Sequence, residues 1–424
     1  MGFFMQTQQF TTGGSPLVFA YGEQGGLGSW MYGITSFSLS SSEDTLGFGG
    51  IKVSISVETD NQSGTITLTP SVMYGDQTLP FDPYEGEVSA TLSITVLAWV
   101  DPNASSTNPA VTPTSVMLAM ANTTGAITSQ APDTSGYGIQ GIARVNAGVL
   151  AGFALSLAPT TEQSSLYGIG AAAGAAMTPY STSTQAFPVA SAQVISGDND
   201  DYSGVSNEYS AANTVDIGLI ALSTTATEVL PGFVTSIMAP NGTVTPALPA
   251  AWQSIPLTQV GVFVQSYYLQ FRITGDDQED GPLFDSMEFG ASGVTLGASG
   301  GFSFTSTLSL VGVNEDHSTA QIDAASYGVT YLYLALAGPI VTAVSPSSGP
   351  LAGGGTVTIS GQNLTNVEMV RFGGMPATNV SMNGDGTVTA TVPAGAATGA
   401  VDVRVLTTSG ISAVVTADQY TYTS

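Results

Sequence analysis

Residues 339–364, PIVTAVSPSSGPLAGGGTVTISGQNL, decide how the C-terminal part of this chain is read. Pro346 and Gly349 shape an entry turn, and Gly353, Gly354 and Gly355 supply bends that no side chain could follow. The strand TVTIS (356–360) then alternates, with Val357 and Ile359 on one face. VRFGG (370–374), VTATVPAG (388–395) and GAVDVRV (399–405) repeat the pattern of short strand and turn. Val401, Val403 and Val405 share a face, so with Val357 and Ile359 they can fill the space between two sheets. Residues 338–424 are therefore expected to form a small β-sandwich.

The same period of two governs the chain before it. In IKVSISVET (51–59), Ile51, Val53, Ile55 and Val57 alternate with Lys52, Ser54, Ser56 and Glu58, as in a half-buried strand. DNQSG (60–64) turns the chain and TITLT (65–69) returns it as a hairpin. SATLSITVLAWV (89–100) puts Ala90, Leu92, Ile94 and Val96 on one face. Tyr267, Leu269, Phe271 and Ile273 oppose Tyr268, Gln270, Arg272 and Thr274, and Phe302, Phe304, Leu308 and Leu310 share a face. No amphipathic helix of three or more turns emerges, and 51 Gly and 22 Pro residues punctuate the chain densely. Residues 101–135 and 240–252 read as loops rich in Pro, Asn, Ser and Thr or in Pro. The small-residue run GIGAAAGAAM (168–177) lets backbones pack closely.

The expected fold is all-β: two or three sandwich-like or barrel-like units, then the C-terminal sandwich. The expected divisions are an N-terminal β domain at 1–110, an Ala/Gly/Ser-rich β region at 111–250, separate from the first or continuous with it, a β region at 251–337, and the terminal domain at 338–424.

Residues 339–424 resemble the IPT/TIG domain, an immunoglobulin-like fold. The resemblance rests on Pro339, Ile340, Val344, Pro346, Gly349, Gly353 to Gly355, Val357, Ile359, Gly361, Asn363 and Leu364. Phe372, Gly373, Gly374, Ala377, Val392, Pro393, Gly399, Val401 and Val403 continue it. It implies a fold rather than a function. Such domains occur in cell-surface receptors, bacterial surface proteins, carbohydrate-active enzymes, phage virion proteins and some transcription factors. A DNA-binding use does not suit this segment, which carries Arg371 and Arg404 against four acids.

Composition narrows the function classes. Only 8% of the 424 residues are charged, against ~25% in an ordinary globular chain. Thirty-one acids face five basic residues, for a net charge of −26. That balance argues against nucleic acid and against anionic membranes. The absence of Cys excludes disulfides and thiolate metal sites, and the single His317 excludes a multi-histidine site within one chain. No run approaches the ~20 apolar residues of a membrane-spanning helix. The opening MGFFMQTQQF has no basic region or long apolar core, so it does not read as a secretory signal.

Few residues point to chemistry. GDNDDYSG (197–204) and GDDQEDGP (275–282) set hard oxygen ligands close together between glycines. Asp198, Asp200, Asp201, Asp276, Asp277, Glu279 and Asp280 are thus candidate calcium ligands, although neither run has EF-hand spacing and both also describe solvated turns. Calcium is the one cofactor the sequence raises. GASGG (297–301) fits G-x-S-x-G around Ser299, but its flanks read as strands where the nucleophile elbow needs a strand-to-helix turn. His317 reads as an exposed hairpin residue. Tyr267, Tyr268, Tyr331 and Tyr333 offer a sugar-binding face, while alternation puts much of that material in a core. Six N-x-S/T sites, at Asn61, Asn103, Asn122, Asn241, Asn363 and Asn379, accept glycans only in a suitable host.

The expected role is a non-enzymatic structural subunit that assembles with itself into an extracellular filament, a tubular appendage or a virion surface or tail structure. In this reading the N-terminal FFMQTQQFTTG adds as a strand to a neighbouring subunit. An adhesin recognising a glycan at a cell or virion surface is the alternative, and a carbohydrate-active enzyme with an accessory module is the second alternative. The expected partners are other copies of the chain and glycans, without nucleic acid or membrane insertion.

Overall fold

The structure, a computed structural model, describes residues 2–21, 26–41, 50–75, 88–101, 116–124, 147–156, 164–173, 190–198, 213–222, 229–237, 242–253, 257–273, 283–297, 301–313, 322–407, 410–412 and 414–424. The first half of the body contains β1 (Gly2–Thr11), β2 (Leu17–Ala20), β3 (Gly26–Ser41), β4 (Gly50–Asp60), β5 (Thr65–Gly75), β6 (Val88–Asp101), β7 (Val116–Thr124) and β8 (Ala147–Ser156). The second half contains β9 (Ser164–Ala173), β10 (Ala190–Asp198), β11 (Thr214–Leu222), β12 (Val229–Ile237), β13 (Gly242–Val244), β14 (Gln259–Ile273), β15 (Leu283–Leu296), β16 (Phe302–Val313) and β17 (Ile322–Leu336). A single 3-10 turn, Ala250–Trp252, interrupts these strands. No helix of the described residues is long and apolar enough to cross a membrane.

The strands form three antiparallel sheets. Sheet I has the order β1-β6-β3-β15-β16-β13, sheet II β2-β5-β4-β8-β11-β7, and sheet III β10-β9-β14-β17-β12. The chain is all-β, as its period of two implies. Sheet I joins β3 to β15, and sheet II joins β4 to β8, so strands before residue 110 share sheets with strands from 111–250 and from 251–337. One apolar core takes residues from all three sheets. Two expected loops also contain strands. Residues 116–124 pair with β11, and Gly242–Val244 pair with β16.

Local sequence explains the strands. Asp60 ends β4 by accepting hydrogen bonds from the Gln62 amide at 2.8 Å and the Ser63 hydroxyl at 2.7 Å. These bonds, the Ser63 hydroxyl first, hold the Asp60 carboxyl below its usual range. The expected β4–β5 hairpin follows, with Asp60 opposite Thr65. Ile51 and Val53 are buried, but their face runs out into solvent at Val57. Ala90, Leu92, Ile94 and Val96 are all buried, as are Phe302, Phe304 and Leu308. In β9 the small Ala171 and Ala173 are fully enclosed, and the strand fits between β10 and β14. Burying each large aliphatic side chain contributes about 1.5–3 kcal/mol.

The three sheets meet at an aromatic cluster. Phe37 and Phe289 come from sheet I, Phe153 from sheet II and Tyr267 from sheet III. Tyr267 stacks on Phe289 with centroids 4.0 Å apart, and Phe153 lies 5.5 Å from Tyr267 and 6.0 Å from Phe37. Polar ties flank these rings. The Tyr331 hydroxyl of sheet III donates to the Gly290 carbonyl of sheet I at 2.8 Å and lies 2.7 Å from the Ser306 hydroxyl. Gln265, the extra residue of a β-bulge in β14, donates to the Gly148 carbonyl of sheet II at 3.1 Å. Gly290 has φ +129°, and a Cβ there would overlap the backbone of Thr35 and Ser36, so glycine is required.

Residues 338–424 form the expected sandwich. Its strands are β18 (Ile340–Ser345), β19 (Ser348–Pro350), β20 (Thr356–Gln362), β21 (Val367–Phe372), β22 (Met375–Pro376), β23 (Thr378–Met382), β24 (Val388–Thr391), β25 (Gly399–Thr407), β26 (Gly410–Ile411) and β27 (Gln419–Thr423). One sheet runs β18-β20-β24-β23 and the other β19-β27-β25-β21-β22, with β26 on β25. Val357, Ile359, Val403 and Val405 are buried between them with Phe372, Tyr420 and Tyr422, while Val401 is half-buried at the edge of this core. Gly353 and Gly354 take φ 66° and 83°, the left-handed bends expected of the glycine run.

The joint to the body is short and hydrogen-bonded. Gly338 follows β17 by two residues; its amide donates to the Thr258 hydroxyl at 2.7 Å. Its carbonyl accepts from the Asn363 side chain at 3.1 Å. A Cβ at Gly338 would press on the Thr258 hydroxyl. Asn363 is thus committed to the joint rather than free to take a glycan.

Two buried tyrosines should respond oppositely to loss of the hydroxyl. Tyr331→Phe strands the Gly290 carbonyl and the Ser306 hydroxyl, and is expected to cost about 1–3 kcal/mol. Tyr267 is fully enclosed and its hydroxyl has no hydrogen-bond partner among the described residues, so Tyr267→Phe is expected to be neutral or stabilising. Urea unfolding followed by tryptophan fluorescence measures both, since Trp30, Trp99 and Trp252 all lie in the body.

Candidate functional site

The outward face of sheet I is an array of hydroxyl groups. Strand pairing aligns Gln9, Ser93, Ser36, Gly290 and Thr307 in one row across β1, β6, β3, β15 and β16. The next row is Thr11, Thr91, Ser38, Glu288 and Ser309. Neighbouring strands stand ~4.8 Å apart, and residues two apart along a strand are ~6.7 Å apart. The opposite faces of these strands hold Phe10, Leu92, Phe37, Phe289 and Leu308 in the core. Alternation between the core and Ser or Thr therefore builds the array.

A groove of about 350 Å³ crosses this face. Thr7, Gln9, Ser36, Ser38, Thr91, Ser93, Ser292 and Thr307 line it, together with Val260, Val262 and Val294. The row dips at Gly290, which has no side chain. Glu288 is the one titratable group in the lining, and no Lys or Arg contributes. At one end Thr35, the extra residue of a β-bulge in β3, turns its hydroxyl to Thr95 at 2.6 Å. Thr95 is 2.7 Å from the Thr7 hydroxyl. Thr35 and Thr95 are buried, while Thr7 is exposed. Each of these hydroxyls can donate and accept a hydrogen bond.

The residues singled out from sequence fall elsewhere. Asp198 ends β10; Asp200, Asp201, Asp276, Asp277, Glu279 and Asp280 lie outside the described residues, as do Ser299 and His317. Among the described residues, no three His, Asp or Glu side chains gather as metal ligands. Tyr267, Tyr331 and Tyr333 are buried and form core rather than a sugar-binding face, because each packs against rings of sheet I. Acids and tyrosines do not mark the hydroxyl face in the sequence. Its signal lies in SFSLSS (36–41), SATLSIT (89–95) and FSFTSTLSL (302–310), where nearly every outward position is Ser or Thr.

In the terminal domain the perturbed groups serve structure. Asp418 is buried; its carboxylate accepts from the Val415 amide at 3.0 Å. Burial raises its pKa, nearby Asp402 adds to the rise, and Arg404 opposes it. Arg404 also donates to the Ser412 carbonyl at 2.8 Å.

The geometry defines an immunoglobulin-like domain behind a three-sheet body. Residues 339–422 are an IPT/TIG domain by their match to that family, and the rest of the chain is assigned to none. No curated protein matches the chain. A solved structure of the plexin A4 extracellular region is similar at 9% identity and a TM-score of 0.19. That match covers 99% of this chain and 48% of plexin A4, and a likeness this weak carries no argument.

Asp418 gives the terminal domain a defined pH response. Its folded pKa lies above the ordinary 3.8, so the folded state holds this proton more tightly than the unfolded chain. Its contribution is full below that value and is lost as pH rises through the raised one. Asp418→Asn should flatten this fall. Hydrogen exchange of the β25 and β27 amides, compared between wild type and variant at each pH, measures the effect.

Proposed function

We propose that this protein is a non-enzymatic structural subunit that assembles with itself into an extracellular filament, tubular appendage or virion surface structure. The observation that carries this reading is the pair of long, uncharged sheet edges at β1 and β7. β1 closes sheet I and pairs with β6 along all ten residues; β7 closes sheet II and pairs with β11 along nine. Neither GFFMQTQQFT nor VMLAMANTT holds a charge, a proline or a ladder irregularity. Such features normally protect an edge from pairing with another chain. By contrast, edge strand β12 carries Pro231, and β10 ends on Asp198, its ladder interrupted by a bulge at Tyr167 of β9.

β1 pairs with β6 along one side; in this reading its other side, with β2 and β26 close to the strand, accepts a neighbour's strand. A heterologous contact of one copy's edge with another's generates rings or filaments. A low density of charge on the strands removes most of the Coulomb cost of close packing. The IPT/TIG domain, held by Gly338, Thr258 and Asn363, projects as a decoration or a second contact. Extracellular placement follows the usual setting of such domains.

Purified protein is expected to form ordered tubes or fibres by negative-stain electron microscopy and to sediment as large species. Gln6→Lys puts an exposed, inward-facing lysine on β1, and Asn122→Lys charges β7. Both variants should remain small and folded. Wild-type protein that stays monodisperse at high concentration, with and without calcium, ends this reading. Dissolution of assemblies by chelator would instead assign calcium a role in the contacts.

A further inference from the structure

We propose that the groove on the hydroxyl face of sheet I binds a neutral saccharide chain. This goes beyond self-assembly, because the groove lies on a face of the sheet and not on its edge. Thr7, Thr95 and Thr35 hold three hydroxyl protons but make only two hydrogen bonds with one another. Thr95 is fully enclosed, so leaving its proton unpaired there is costly. The chain of bonds therefore runs through Thr95 and leaves the spare proton at one end, on Thr7 or Thr35. Both ends line the groove, and Thr35 is only 4% exposed. The spare donor therefore sits on a hydroxyl that lines the cavity, at either the buried Thr35 end or the exposed Thr7 end.

The rest of the lining selects the ligand class. Serine and threonine hydroxyls each donate and accept, which matches the hydroxyls of a sugar on both counts. Glu288 accepts protons only, and its charge strengthens a bond from a sugar hydroxyl. Val260 and Val294 give the C–H faces of a sugar ring an apolar surface. With no Lys or Arg in the groove and a net charge of −26, phosphorylated, sulfated and uronic acid ligands are repelled. A volume of about 350 Å³ lies at the small end of ligand clefts, suited to a short stretch of a chain.

The test is isothermal titration calorimetry of the full chain with cellohexaose, mannohexaose and chitohexaose, and with polygalacturonate as the acidic control. At least one neutral oligosaccharide is expected to bind, and polygalacturonate is not. Thr35→Val removes a hydroxyl of the lining, Glu288→Gln replaces a charged acceptor by a neutral one, and each should weaken binding about tenfold. Ser292→Trp fills the groove from an exposed position and should abolish binding without affecting the core. Gln6→Lys, outside the groove, should leave binding intact even where it blocks assembly, which separates the two readings. Failure of all three neutral oligosaccharides at millimolar concentration overturns the proposal. So does binding unchanged in both Ser292→Trp and Thr35→Val.

Discussion

The contact of Tyr267 with Phe289 and Phe153 is the constraint on which the body depends. Two packed sheets can close a core with inward faces alone, but three sheets must share an interior that each approaches from a different side. Large flat rings suit that meeting point, since each buries 150–250 Å² and tolerates tilted or edge-on neighbours. The rings set the distance between sheets, and polar side chains set their register. Tyr331 fixes sheet III against sheet I through Gly290, and Gln265 fixes it against sheet II through Gly148. Each of these bonds spans an interior with no water to compete, so its loss exposes no alternative partner. The close approach of Thr35 and Ser36 to Gly290 is part of the same geometry.

β-Bulges turn this packing problem into surface. Gln265 and Thr35 are both extra residues in their strands. An extra residue re-aims a side chain that would otherwise follow the alternation. At Gln265 the result is an internal tie. At Thr35 it is a hydroxyl held under the outer face of sheet I, joined through Thr95 to Thr7. Core and groove are therefore not independent: the bulge that lets β3 pass Gly290 also supplies a buried hydroxyl of the groove's lining.

How much of this was legible in the sequence follows from the range of the interactions. The terminal domain could be read because its turns are local: Pro346, Gly349, Gly353 and Gly354 mark them within a few residues. The inward faces of β4, β6 and β16 could be read because alternation is local too. The pairing of β3 with β15 could not, since it joins Ser36 to Gly290 across most of the chain. That pairing is what merges regions expected to stand apart. Bulges leave no mark in composition, so neither Thr35 nor Gln265 was distinguishable from its neighbours. Tyr267, Tyr331 and Tyr333 carry polar tips that suit a binding surface, yet period two places them inward, and the packing of three sheets favours that placement.

The distribution of charge ties the faces to the edges. The densest acidic runs of the sequence, 197–204 and 275–282, lie outside the described residues apart from Gly197 and Asp198, while β1, β7 and the outward rows of sheet I carry Glu288 as their only charge. Repulsion between the acidic runs of two copies acts over about a Debye length, ~10 Å at 0.1 M salt. Attraction at edges and faces is by hydrogen bonds, which act only at contact and in fixed directions. Long-range avoidance and short-range specificity thus reside in different parts of the chain. Under the proposed readings, such a surface would favour partners that match its ladder of backbone groups or its rows of hydroxyls over diffuse association.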